Sequence, residues 1–480
     1  MMKSLLLGVV GAALSIFGPS EAAFGQGNPQ SQVLGGRSAL MGGTGVALGA
    51  DSAAPFLNPA VIANIQRTSL ALSSQLVEFR FRTLSGFRQP NSGESSVAES
   101  IELEDANVNQ VEVRFVPAAV CYFQRIGDRE GPPTSSHTLS LCFGTTELLE
   151  VSALGDSEDG SSVEERVDLV SSVESSWKRQ EFGLSWGHDF VDWFSAGASV
   201  LVGLATQRVL FGSGILLTDL EAGTGQTNGY SLSLSADSVG LRGEFGVLFR
   251  LSDRIRLGAS ARTPSWFVLS NYDSATVVNA LDGSSRREVI SAAFDAPAPI
   301  RFATGLGYEG KRLTLELDLF FFPSQGSFLE VDGERELVTV DSAGNVTRES
   351  ASFLIRESSK FTANVNFGVE YDLARRWSLL SGFQTDFSLL DSRSEIDPDR
   401  RIAVTSRDFF HASLGTGYRG RFGNIVSGVR FSYSDGETLA VNNFTNEPEV
   451  GVASDELISV LLILYGSIDF TAIASVITPD

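Results

Sequence analysis

Residues 35–60 read GGRSALMGGTGVALGADSAAPFLNPA. The stretch holds too many glycines for a stable helix, and its apolar residues keep no period of two. Yet Leu40, Met41, Val46, Leu48, Phe56 and Leu57 would all gain from leaving water. A compact, irregular, half-apolar segment of this kind is stable when another part of the chain wraps around it. Gly42, Gly43 and Gly45 let its backbone reverse tightly, and Asn58-Pro59 forms a stiff turn whose Asn side chain can cap nearby backbone groups.

The remaining chain supplies a wrapper. From Thr68 onward apolar residues recur with period two in fourteen runs: 68–82, 108–125, 137–151, 177–190, 193–211, 230–250, 254–270, 298–309, 311–323, 361–373, 376–390, 408–419, 422–434 and 457–473. Leu313, Leu315, Leu317, Leu319 and Phe321 alternate with Arg312, Thr314, Glu316 and Asp318. Phe361, Ala363, Val365, Phe367, Val369 and Tyr371 alternate with polar residues that include Glu370 and Asp372. Apart from the 126–136 turn, every second gap is very short: 191–192, 252–253, 310, 374–375 and 420–421. The gaps between them, 83–107, 152–176, 212–229, 271–297, 324–360, 391–407 and 435–456, are long, polar and acidic. Short turns at one rim and long loops at the other predict an all-β fold, a transmembrane antiparallel β-barrel. About 14 strands enclose more space than inward side chains can fill, so a plug is required. The predicted organisation is a signal peptide over 1–25, a plug over 26–66 and the barrel over 67–480.

Composition agrees. Of the 480 residues, 58 are acidic and 36 are Lys or Arg, a net charge of −22 that argues against a nucleic-acid partner. Mean hydropathy of +0.07 is what a greasy outside and a wet inside average to. Lys3 precedes an apolar run over 5–17 that is too short to span a membrane and is followed by small residues. This predicts an export signal cleaved after Ala22 or Gly25. The last apolar stretch, 458–477, carries Asp469, which would cost about 3 kcal/mol at the centre of a membrane helix. It is read as the closing strand, although barrels of this kind usually finish on an aromatic and this chain continues past Phe470.

Two phase slips stand out. One lies in 68–82, between Leu72 and Val77. The other lies near 237–240: Tyr230, Leu232 and Leu234 are even, whereas Leu241, Phe245, Val247 and Phe249 are odd. Cys121 falls on the apolar phase of its run and Cys142 on the polar phase of the next. Facing residues of a hairpin share a face, so no disulfide between them is expected without a bulge.

The 35–60 stretch resembles the N-terminal hatch of the FadL/OmpP1/TodX family of outer-membrane transporters for long-chain fatty acids and other hydrophobic compounds. The matching residues are Gly35-Gly36, the run Met41-Gly42-Gly43-Thr44-Gly45-Val46-Ala47, and Asn58-Pro59-Ala60. Family-like patterns recur at PIRFATGLGY (299–308) and over 367–382. The resemblance implies a cell outer-membrane barrel of a Gram-negative bacterium, monomeric, set in lipid and lipopolysaccharide. It implies passive uptake of a hydrophobic small molecule such as a long-chain fatty acid, a gate carried by Asn58, Pro59 and Ala60, and a kinked strand that opens a lateral portal.

No enzyme motif appears: there is no Walker loop, dinucleotide fingerprint or nucleophile elbow, and no cofactor or metal is expected. His137, His188 and His411 lie on different strands outside any metal-type spacing. His411 and Ser413 resemble the Ser and His of barrel phospholipases but lack that motif's other residues. Phe320-Phe321-Phe322, Trp266-Phe267 and Phe409-Phe410 are candidates either for a ligand pocket or for a lipid-facing girdle. Phe56 and Leu57 are candidate pocket residues, and Arg37 is a candidate partner for a ligand carboxylate. The alternative function is a barrel that serves exported proteins as scaffold or shuttle, with its acidic loops as docking surfaces. Lipid extracted with the purified protein would favour transport, and a co-purifying exported protein would favour the alternative.

Overall fold

A computed structural model describes residues 28–30, 32, 34–49, 51–65, 67–90, 103–127, 137–159, 165–219, 224–279, 283–295, 298–390, 406–442 and 449–477. The expected signal peptide lies outside these residues. The strands are β1 (Ser69–Pro90), β2 (Leu103–Ile126), β3 (His137–Asp159), β4 (Glu165–Val191), β5 (Phe194–Asp219), β6 (Thr224–Arg250), β7 (Ile255–Arg262), β8 (Trp266–Asn279) and β9 (Ser285–Asp295). They continue as β10 (Arg301–Glu309), β11 (Leu313–Phe322), β12 (Gln325–Val340), β13 (Val346–Ser359), β14 (Thr362–Ala374), β15 (Trp377–Asp386), β16 (Ser406–Arg419), β17 (Gly423–Asn442) and β18 (Glu449–Asp469). Four pairs, β7/β8, β9/β10, β11/β12 and β13/β14, are two halves of one stave, because their neighbours pair with both halves. The eighteen strands therefore make fourteen staves, and β1 pairs with both β2 and β18 to close the barrel.

Alternation sorts the side chains. Leu313 and Leu317 face outward while Glu316 and Asp318 are buried inside, and Val365, Phe367 and Tyr371 face outward around inward Asn364, Asn366 and Glu370. The expected slip near 237–240 is absent from β6, where every even residue from Leu232 to Leu248 points inward. The environment inverts instead. Below Gly240 the outward residues are Leu241 and Phe245, whereas above it the outward ones are Ser231, Ser233 and Ser235 and the inward ones Leu232, Leu234 and Ala236. The apolar outer band ends there, so this wall stands above the lipid. The bulge that sequence placed on β6 lies on β8, where one extra residue, Val268, falls opposite Val239 and Gly240.

β1 does carry its slip, one extra residue between Gln75 and Val77. A second bulge in the neighbouring strand overturns the cysteine expectation. Between Ser73↔Ala119 and Gln75↔Val116, β1 advances two residues and β2 three. Pro117, which lacks the N–H that a ladder needs, lies in that step. The extra residue moves Cys121 from the outward phase of Val111 and Val113 to the inward one, directly opposite Cys142, and the two form a disulfide. It closes a sequence separation of 21 residues. The double variant Cys121→Ser/Cys142→Ser is expected to lose about 3 kcal/mol, read as a lowered urea midpoint of the reconstituted barrel. An unchanged midpoint would mean that strand pairing alone holds β2 to β3.

Two boundaries also differ from expectation. The long gaps are largely strand, as in the β8–β9 and β12–β13 hairpins, which raise four staves well above the band. Backbone pairing, once in register, propagates without any apolar alternation. The closing strand ends at Asp469, and residues Phe470–Ile477 form a helix, with Asp469 Oδ1 accepting the Ala472 N–H at 2.9 Å as an N-cap. Among the described residues no helix is long and apolar enough to cross a membrane.

Candidate functional site: the hatch seat and the luminal cavity

The 35–60 stretch sits inside the barrel. Two short helices, α1 (Arg37–Leu40) and α2 (Ala54–Leu57), and a 3₁₀ helix (Pro59–Asn64) compose it. Leu40, Met41, Val46, Phe56 and Ile62 are fully buried, as their apolarity requires. The wall holds this hatch by its backbone. On β11 the spacing of two puts Glu316 and Asp318 on the inner face. Glu316 Oε1 accepts the N–H groups of Ala47 and Leu48, both at 2.8 Å, and Asp318 Oδ2 accepts those of Gly45 (2.8 Å) and Val46 (3.0 Å). Asn366 donates to the Gly43 carbonyl (3.0 Å) and Ser413 Oγ to that of Leu40 (2.9 Å). Hatch and wall also meet backbone to backbone. Gly42 has φ +69°, and a Cβ there would lie 2.5 Å from the Phe383 carbonyl oxygen, while a Cβ on wall residue Gly382 would overlap the Gly42 nitrogen.

Asn58 acts on three partners. Its Nδ2 donates to the carbonyls of Val46 (2.7 Å) in the hatch and Val247 (3.1 Å) in the wall, and its Oδ1 accepts the Ala60 N–H (3.0 Å), capping the 3₁₀ helix. The end of α2 is met by cations. Arg301 Nη2 donates to the Phe56 and Leu57 carbonyls at 2.8 and 3.1 Å, and Arg262 Nη2 to that of Phe56 at 3.1 Å. These are the orphan carbonyls and negative dipole end of a helix.

Arg262 and Arg301 belong to a buried ionic cluster. Fully buried Glu244 accepts from Arg262 Nε (2.9 Å) and Arg301 Nη2 (2.5 Å) and lies 3.9 Å from Arg242, which pairs with Glu181. Arg179 lies 3.6 Å from Glu147. The four arginines, with Glu147 and Glu181, form one side of a cavity of ≈60 Å³, and Phe56, Leu57 and Ala53 of the hatch form the other. Three guanidinium donors on this side, Arg242 Nε and Nη1 and Arg301 Nε, are buried without a hydrogen-bond partner. Above the cavity the raised wall turns apolar and aromatic inward: Trp177, Leu234, Tyr272, Ile290, Phe294 and Val331 are buried there, with Phe294 against both Trp177 and Tyr272.

Of the residues singled out in the sequence, Phe56 and Leu57 line the cavity, and Gly42, Gly43, Gly45, Asn58, Pro59 and Ala60 lie in the seated hatch. Arg37 is placed elsewhere: its Nε donates to Glu370 (2.8 Å). Burial opposes the Arg37 charge, but Glu370, Glu316 and Asp51 around it together more than offset this, so its pKa is raised. Phe320, Phe322 and Phe409 point inward, Phe410 and Trp266 outward. His411 bonds Ser432 (2.8 Å) while Ser413 bonds the hatch, so these two form no dyad. His137 stacks on His188 across β3–β4, and among the described residues no group of three metal-ligating side chains exists. Sequence reasoning missed the arginines of the cavity. Their signal was phase: Arg242 and Glu244 share the inward register of β6.

A closed β-barrel with an apolar outer band and a backbone-seated plug defines the class, a plugged membrane-spanning barrel. No protein-family model matches the sequence, and no curated protein does. Solved structures do match it in fold. A FadL homologue of Pseudomonas aeruginosa aligns at TM-score 0.56 and 15% identity over 92% of this chain and 100% of that one. The P. putida toluene transporter TodX aligns at 0.56 and 14% over 91% and 99%, and the Ralstonia pickettii toluene transporter TbuX at 0.50 and 14% over 91% and 98%. This chain has the fold of the FadL and TodX outer-membrane channels.

Proposed function

We propose that this chain is an outer-membrane channel of a Gram-negative bacterium for passive uptake of hydrophobic small molecules, with long-chain fatty acids as its substrate class and the hatch as its gate. The cavity supports this reading most directly: it joins an apolar hatch surface to guanidinium donors that lack partners, which suits an amphiphile with a carboxylate head. The aromatic inner wall above it gives the apolar tail a path from the long-loop mouth. A volume of ≈60 Å³ holds a few waters and no acyl chain, so passage requires the hatch to move. The toluene transporters of like fold fit a hydrophobic cargo. On this reading residues 26–66 act as one gating unit and 67–480 as the wall, a monomer among outer-membrane lipid and lipopolysaccharide. The test is uptake of labelled oleate by a Gram-negative host that lacks its own fatty-acid transporter. Cells displaying the chain should accumulate oleate, and Arg301→Gln should weaken uptake about tenfold, the loss of one charge-assisted contact. Uptake no faster than in barrel-free cells, with the protein folded in the outer membrane, would reject the reading.

A further inference from the structure

A second cavity, of ≈310 Å³, opens on the other side of the hatch, at the short-turn rim. It shares no lining residue with the first. Its inner surface is apolar where Ile65 of the hatch faces Phe123 of β2 and Tyr465 of β18. Two of its three charged groups, Arg67 and Arg421, are donors. Asn64 Oδ1 accepts from Arg250 (2.7 Å), which leaves the Asn64 amide nitrogen buried and without a partner at the cavity wall. Arg67 pairs with Asp469 at 2.6 Å, and Asp469 also caps the terminal helix. Arg421, from the β16–β17 turn, lies over Phe422 at 5.2 Å and forms no ion pair among the described residues. The two arginines against one carboxylate leave the cavity one net positive charge, with an apolar floor.

The upper cavity is also net positive: four arginines (179, 242, 262, 301) and two glutamates (147, 181) line it beside an apolar hatch face. Two chambers, each lined by more arginines than carboxylates, thus flank α2 and the 3₁₀ helix, which are consecutive elements joined at Asn58. We propose that the rim cavity is an exit-side binding site for the carboxylate head of an amphiphile that has passed the hatch. The head sits between Arg421 and the Asn64 amide, and the chain lies on Ile65, Phe123 and Tyr465. An uncharged molecule of equal length gains only the apolar part of this site, so it is held more weakly there. The proposal rests on the transport reading.

The test uses the full-length protein in lipid nanodiscs with a diazirine-bearing dodecanoate, adducts being mapped by mass spectrometry. Two adduct groups are expected, one on peptides carrying Phe56 and Ala298 and one on peptides carrying Phe123 and Tyr465. Arg421→Glu should reduce the second group about tenfold and leave the first unchanged. A diazirine-bearing dodecanol should label the rim equally in both proteins. Adducts at the upper cavity without any at the rim would overturn this proposal and leave transport standing, and rim adducts indifferent to Arg421→Glu would overturn the head-group assignment. Wild-type protein with no luminal adduct at all would sink both readings.

Discussion

Glu316→Gln combined with Asp318→Asn should turn the closed barrel into a leaking one. The two carboxylates take four consecutive hatch N–H groups at 2.8–3.0 Å. Hydrogen bonds to a charged acceptor contribute about 1.5–3 kcal/mol each. The amide variants keep shape and volume and can still aim one oxygen at the hatch, but as a neutral and therefore weaker acceptor. Even allowing for non-additivity, a loss of about 3 kcal/mol raises the unseated population about a hundredfold. Liposome swelling with a neutral sugar measures it, and deletion of residues 26–66 sets the upper limit. If the deletion leaks and the double variant does not, apolar packing rather than the carboxylates seats the hatch. If the deletion itself stays tight, the segment is no plug.

The fourteen staves were legible because lipid enforces period-two alternation on every strand within the band, and each short turn breaks it visibly. The hatch was legible from its glycines: Gly42 touches the wall backbone, a contact with no room for a side chain. Legibility stopped where lipid stops. Above Gly240 the wall has polar residues outside and apolar ones inside, so an unbroken β6 looks in sequence like a shifted strand. The strands of the β12–β13 hairpin carry little alternation, and their register comes from backbone pairing alone. The disulfide was hidden for a related reason. One extra residue around Pro117 reverses every side chain beyond it, and a phase argument carried across that point inverts its conclusion. The candidate site was half legible. Inward carboxylates such as Glu316 were expected, but a water-filled lumen is an ordinary home for them. Only the hatch's position shows that they seat a plug, and only three-dimensional pairing gathers Arg242, Arg262 and Arg301, from three staves, around one glutamate.

That glutamate carries the other large expected effect. Glu244 is wholly buried and contacts all three arginines. Glu244→Gln keeps the shape but leaves the cluster with four positive charges against two negative ones beside a cavity of ≈60 Å³. Removing one partner of a buried ion pair costs about 3–5 kcal/mol, because the remaining charge keeps its desolvation penalty without its attraction. The urea midpoint of the reconstituted barrel should fall accordingly. The hatch should loosen as well, since Arg262 and Arg301 also grip the Phe56 and Leu57 carbonyls, and guanidiniums that repel each other would shift from that position. Charge accounting yields a sharper check. Arg262→Gln added to Glu244→Gln removes one positive charge with the negative one, restoring the net +1 of the wild type. A double-mutant cycle should therefore return a coupling of about 1–3 kcal/mol, with the pair of substitutions costing less than the sum of the two. Strict additivity would mean that water or counterions enter the cavity and screen the arginines. In that case the pocket would be wet, and its unpartnered guanidinium donors would already be satisfied before any carboxylate arrived.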